Sequence, residues 1–225
     1  MKRITILTGH YGSGKSEIAV NLALKKSLNT LVDLDIINPY FRSRSISEYL
    51  KEQGIDVIES TIENASGSDL PFISSKGSRP FVNNELTAIY DLGGTRHGAK
   101  LMKQFDAFIK NLDEIDVLMV VNIYRQETDS VEKILSTIDD IEAASQLQVT
   151  GLINNSNLMD FTDESMIRAG EEILQQVSSI KNIPIKYTCV EENVKTKGNF
   201  LGEVISLRRY LAEKALSIGG HYGKR

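Results

Sequence analysis

The sequence predicts a three-layer α/β fold: a mostly parallel sheet of about seven strands with helices on both faces. Three observations carry that expectation. Short β-branched runs alternate along the chain with segments of helical period. A glycine-rich stretch, Gly9-His10-Tyr11-Gly12-Ser13-Gly14-Lys15-Ser16, separates the first apolar run from the first helical segment. Aspartates close two of the runs, Asp33 and Asp35 in one and Asp91 in the other, at the strand edge where open α/β sheets bind ligands.

The expected strands are Ile4 to Thr8, Thr30 to Asp35, Ile55 to Ile58, Ala88 to Leu92, Asp116 to Asn122, Val149 to Asn154 and Ile183 to Val190. Between them Ile18, Leu22 and Ala23 share one helix face, as do Leu101, Phe105, Phe108 and Leu112, and then Val131, Ile134, Leu135, Ile138 and Ile141. Asp129 followed by Glu132 reads as a capping box, and Gly54 as a helix stop ahead of Ile55. Glu59 to Thr87 is a long irregular stretch holding Gly67, Pro71, Gly77 and Pro80, either a lid or a decorated connection with a short helix near Leu70 to Ser74. Val204 to Leu216, with Arg208 and Arg209 beside Val204, Ile205 and Leu211, reads as a surface helix docked on the domain.

A chain of 225 residues suits one domain, 1–225. Its 41% hydrophobic and 25% charged residues are globular values, and a net charge of -4 argues against nucleic acid as a partner. No apolar run reaches the roughly 20 residues of a spanning helix, so no membrane partner is expected. A single cysteine, Cys189, and no zinc-like spacing fit a reducing, cytoplasmic setting.

Gly9 to Ser16 fits G-x-x-x-x-G-K-[ST] at every fixed position, after a strand and before a helix. Glycines there let main-chain N–H groups turn inward around a phosphate, and the helix dipole adds positive potential. This is the signature of a P-loop NTPase fold. Gly9, Tyr11, Gly12, Ser13, Gly14, Lys15, Ser16 and Glu17 are therefore the expected phosphate-side residues. Lys15 reaches the β- and γ-phosphates, and Ser16 ligates Mg2+.

Asp35 is the candidate to orient or deprotonate an attacking water, and Asp33 the candidate for the magnesium shell. Asp91-Leu92-Gly93-Gly94 repeats the arrangement, with Asp91 on the magnesium side and the Gly94 N–H as a γ-phosphate sensor. Asn154, Asn155 and Asn157 place amides at a further strand end, where asparagine can pair with adenine. Guanine reading needs an acid at position 157 to accept two N–H bonds, so ATP/ADP is expected over GTP.

The segments GHYGSGKSE, VDLDIINPYFRSR, DLGG and GLINN resemble those of the CobQ/CobB/MinD/ParA-type nucleotide-binding proteins, and VDLDIINPYFRSR that of a bacterial ATP-binding subgroup. The resemblance implies a catalytic, metal-side role for Asp35 in switch I, a magnesium-side role for Asp91 and an adenine contact for Asn155. It implies a slow Mg-ATPase that acts as a switch for a protein partner. The alternative it carries is an ATP-dependent ligase or amidotransferase acting on a small carboxylate, like dethiobiotin synthetase. A small-molecule kinase ranks lower, because the long stretch after Glu59 holds only Arg79. An ATP-dependent homodimer belongs to relatives with a signature lysine early in the loop, and here that position is His10. Arg42, Arg44 and Arg125 lie near the expected ligand edge, and Arg96 and His97 follow the second glycine pair without a metal-ligand partner at helical spacing.

Overall fold

The computed structural model describes residues 1–35, 44–59, 75–93, 96–109 and 114–211. Among these residues eight strands form one sheet: β1 (Ile4–Thr8), β2 (Thr30–Leu34), β3 (Asp56–Glu59), β4 (Ala88–Leu92), β5 (Ile115–Val121), β6 (Gly151–Asn154), β7 (Ile185–Glu191) and β8 (Glu203–Leu207). Their order is β3-β2-β4-β1-β5-β6-β7-β8, and each neighbouring pair is parallel. A parallel sheet needs cover on both faces, which is why β1, β2, β4 and β5 are buried at every position.

Alternation along β1 sorts the two cores. Ile4 and Ile6 join Tyr90, Val117 and Met119 in one, with Phe81, Leu101, Ile109, Ile134, Ile138 and Leu174 supplied by α3 (Arg79–Val82), α4 (Arg96–Leu101), α5 (Asp106–Ile109), α6 (Val131–Ser145) and α7 (Glu164–Lys181). Leu7 points the other way and meets Ile18 and Leu22 of α1 (Lys15–Lys25) and Ile46 and Leu50 of α2 (Arg44–Glu52). The chain therefore lays α1 and α2 on one face and the later helices on the other.

Three expectations are corrected. The segment read as a helix from Val204 contains β8, an eighth strand parallel to β7. Its period is two: Ile205 and Leu207 are buried, whereas Val204 is 48% exposed. A helical turn begins only at Tyr210. The start of α6 is capped by Ser130, whose Oγ accepts from the Lys133 N–H at 3.4 Å, while Asp129 pairs with the Lys133 ammonium at 2.8 Å. The apolar face from Leu101 is broken into α4, a 3-10 turn at Met102–Phe105 and α5, with Leu101 and Phe105 buried and Phe108 38% exposed. Leu112 lies outside the described residues.

Gly54 ends α2 as expected, at φ 82°, with the Ile55 N–H returning to the Leu50 carbonyl at 2.9 Å. The described end of the long stretch is a 3-10 turn at Ser75–Ser78 running into α3. Tyr90 anchors it by donating its hydroxyl to the Gly77 carbonyl at 2.8 Å and stacking on Phe81. Arg3 adds bonds to the carbonyls of Pro80 (2.7 Å) and Leu86 (3.0 Å). The expected helix at Leu70 to Ser74 lies outside the described residues.

Candidate nucleotide site

The loop from Gly9 to Ser16 runs from the end of β1 into α1 at the centre of the sheet, where β1 lies between β4 and β5. Two of its glycines are demanded by packing. Gly9 has φ 135°, and a side chain there would collide with the Val120 carbonyl of β5. Gly14 caps α1 at φ 92°, and a side chain would collide with the Asn155 amide. Asn155 Nδ2 donates to the Ser13 carbonyl at 2.7 Å, so the loop is braced by residues that follow β6.

Inside the loop, Lys15 is buried and its Nζ donates to the His10 carbonyl at 3.0 Å. Burial lowers its pKa, and the carboxylates of Asp91 and Asp35 partly offset that. Ser16 donates its hydroxyl to Asp91 Oδ2 at 2.5 Å. Asp91 is fully buried, and burial pushes its carboxyl up to about 6 against the opposing pull of Lys15 and of the Ser16 bond. Among the described residues its Oδ1 has no hydrogen-bond partner, nor has the buried Ser13 Oγ. Buried polar atoms are normally paired, so both point to a polar occupant of the loop.

The parallel register sets Asp33 beside Asp91. Asp33 Oδ1 accepts the Asp35 N–H at 2.9 Å, and Asp35 is buried just beyond β2, with its Oδ1 near 3.1 Å from where a Gly93 side chain would begin. Lys15, Ser16, Asp33, Asp35 and Asp91 are thus brought together. Among the described residues no cluster of three or more His, Cys, Asp or Glu is arranged to hold a metal by itself. A magnesium ion bound mainly through phosphate oxygens and water does not need one, and the Ser16 hydroxyl with the orphaned Asp91 oxygen suits that donor set.

Beside the loop opens a cleft of about 200 Å3, lined among others by Gly14, Asn155, Met159, Glu191, Leu207 and Arg209. Its size falls below the roughly 300 to 1,000 Å3 of drug-sized ligand pockets and suits one part of a ligand, such as a planar base. The three asparagines fare differently here. Asn154 is turned into α7, its Nδ2 on the Ile167 carbonyl at 2.9 Å and its Oδ1 on the Ser156 N–H at 3.1 Å. Asn157 spends its amide on the Asn155 carbonyl at 2.7 Å and the Met159 N–H at 3.3 Å. Asn155 Nδ2 holds the loop, and its Oδ1 accepts no hydrogen bond among the described residues.

Glu17 lines the cleft, and its carboxylate accepts from the Tyr210 N–H at 2.6 Å and the Leu211 N–H at 3.2 Å. Tyr11 is 56% exposed on the loop's outer surface. His10 lies toward Glu127, Nδ1 to Oε2 at 3.6 Å. Arg125 Nε donates to the Gly12 carbonyl at 3.0 Å. Gly94 and Arg42 fall outside the described residues, as do the side chains of Arg44, Arg96 and His97.

Sequence reasoning missed the far wall of the cleft. Arg209 there binds Asp160 and Glu191, each at 2.5 Å. Glu191 was findable as a polar residue at a strand end. Arg209 was hidden by the helix reading of its segment.

Fold and loop together define a P-loop NTPase-like α/β protein. No family model matches the sequence, and no curated protein matches it. Solved structures do share the fold. The signal recognition particle receptor FtsY from Elizabethkingia anophelis is 18% identical, with TM-score 0.54 over 84% of this chain and 58% of that one. FtsY from Thermotoga maritima is 16% identical, with TM-score 0.57 over 83% and 61%. The signal recognition particle 54 kDa protein from Aeropyrum pernix, in complex with GDP, is 14% identical, with TM-score 0.50 over 96% and 46%. This chain thus spans about three fifths of the FtsY chains it resembles.

Proposed function

We propose that this chain is a Mg-dependent ATP-binding protein, a slow ATPase whose nucleotide state is read by a protein partner. The observation that carries the reading is the pair of orphaned buried oxygens, Ser13 Oγ and Asp91 Oδ1, beside buried Lys15 and the Ser16 hydroxyl. A polyphosphate supplies the anion that favours charged Lys15, and Mg2+ supplies charge neutralisation at the phosphates. Ser16 and Asp91, with Asp33 beside them, are the residues that would hold the ion, and Asp35 the one that would position the attacking water.

The cleft next to the loop takes the base in this reading. ATP is favoured over GTP because Asp160 and Glu191 are tied to Arg209, and Asn157 replaces the acid a guanine would require. Asn155 offers Oδ1 to the adenine amino group. The solved FtsY and signal recognition particle proteins include complexes with GDP, so the base preference is the point that experiment must decide. Thermal shift with Mg-ATP, Mg-ADP and Mg-GTP decides it. A shift with neither adenine nor guanine nucleotides removes the reading, and a larger shift with GTP than with ATP removes its base preference.

A further inference from the structure

Arg125 stands on the turn after β5, and the turn is closely held. Its N–H donates to the Asn122 carbonyl at 3.1 Å, its carbonyl accepts the Thr128 N–H at 2.9 Å, and Thr128 Oγ1 adds a bond to the Asn122 carbonyl at 2.7 Å. Asn122 in turn grips the chain after β6, donating Nδ2 to the Asn157 carbonyl at 3.0 Å. The backbone of Arg125 is therefore fixed by the two strand ends that flank the cleft.

The side chain crosses from that turn to the phosphate loop. Nε donates to the Gly12 carbonyl at 3.0 Å, and the guanidinium carbon lies 3.7 Å from where a Gly12 side chain would begin. Arg125 also lines the cleft itself. Its Nη1 and Nη2 make no hydrogen bond among the described residues. The acids of the same turn are engaged elsewhere, Glu127 facing His10 and Asp129 pairing with Lys133. The other cleft arginine, Arg209, is neutralised by two carboxylates, so Arg125 is the cleft cation without a counter-ion among the described residues.

A planar guanidinium with one nitrogen anchored and two free presents a fork, the geometry that matches phosphate oxygens. We propose that Arg125 is a nucleotide-positioning residue, holding Gly12 with Nε while Nη1 and Nη2 take a phosphate oxygen on the cleft side of the loop. The proposal rests on the loop being a nucleotide site. It assigns a contact to the chain after β5, which the loop motif does not include.

Calorimetric titration of wild type, Arg125→Gln and Arg125→Lys with Mg-ADP and with tripolyphosphate, at low and high salt, tests it. Glutamine keeps a donor for the Gly12 carbonyl and removes the charge. Affinity for both ligands is expected to fall about 10-fold or more in Arg125→Gln, the scale of a lost charged hydrogen bond. Arg125→Lys is expected to recover part of it, and the salt dependence to flatten in the glutamine variant. Wild-type affinity in Arg125→Gln overturns the inference alone, as does a loss with ADP but not with tripolyphosphate. A wild-type protein that binds neither ligand overturns the nucleotide reading and the inference with it.

Discussion

At the scale of single residues, the proposed function assigns binding to Lys15 and chemistry to Asp35, and substitutions can separate the two. Lys15 is the buried cation of the loop, so Lys15→Ala should remove most of the stabilisation by nucleotide. Ligand at 100 times its dissociation constant adds about 2.7 kcal/mol, about 5 to 11 °C in melting temperature for a chain of this length. An unchanged Mg-ATP shift in the variant would count against the phosphate assignment. Asp35→Asn keeps size and hydrogen bonding but cannot accept a proton, so single-turnover ATP hydrolysis should drop at least about 100-fold with the thermal shift retained. Wild-type hydrolysis in that variant would move the attacking-water role elsewhere. Asp91→Asn should instead weaken the magnesium-dependent part of binding, because it alters the partner of the Ser16 hydroxyl. Comparing titrations with and without the ion separates the two aspartates.

At the scale of elements, β8 and the Asp116 pair are the informative places. Ile205 is buried against Tyr187 and α1 residues, so Ile205→Ala should cost about 2 to 5 kcal/mol in urea unfolding, the lower end being expected at a sheet edge. Val204→Ala, one residue away on the exposed side, should stay within about 0.5 kcal/mol. Equal losses would contradict the two-residue alternation. Asp116 is buried at the start of β5, and burial alone would raise its pKa. Bonds from Lys186 Nζ at 2.6 Å and the Lys2 N–H at 2.9 Å outweigh burial and hold it below the ordinary carboxylate value. A depressed carboxyl contributes stability that is present above its unfolded pKa and lost as pH falls through the folded one. In Lys186→Met burial is less opposed, so the acid-unfolding midpoint followed by circular dichroism should move to higher pH. An unmoved midpoint would assign the pair no weight.

These elements also show what the sequence could and could not reveal. β1 and β4 were legible to the residue because each is a short, mostly apolar run, as buried parallel strands are, ended by a glycine. The loop was legible because its chemistry demands fixed residues at fixed spacing. β8 was misread because five residues with two inward side chains are too short a sample to separate period two from period 3.6. The cleft wall was invisible for a different reason. Arg209 meets Asp160 only through the docking of β8 beside β7, a contact between positions 49 residues apart. The asparagines after β6 were located correctly, but their hydrogen bonds depend on neighbouring backbone that composition does not encode.

At the scale of the whole molecule, the phosphate loop is a composite. Its own residues are numbers 9 to 16, yet Gly9 is packed against Val120, Gly14 against Asn155, and Glu17 receives the chain at Tyr210. Even β1 gains its two neighbours only from residues 88 and 115 onward. Synthesis on the ribosome runs the other way, delivering the loop first and its supports last. Non-local parallel pairing of this kind folds slowly and leaves apolar strands exposed while they wait. A nascent chain is therefore expected to carry the complete motif, residues 9 to 16, before the strands that shape it have been made. In the proposed reading, nucleotide binding should appear only after Asn155 has cleared the exit tunnel.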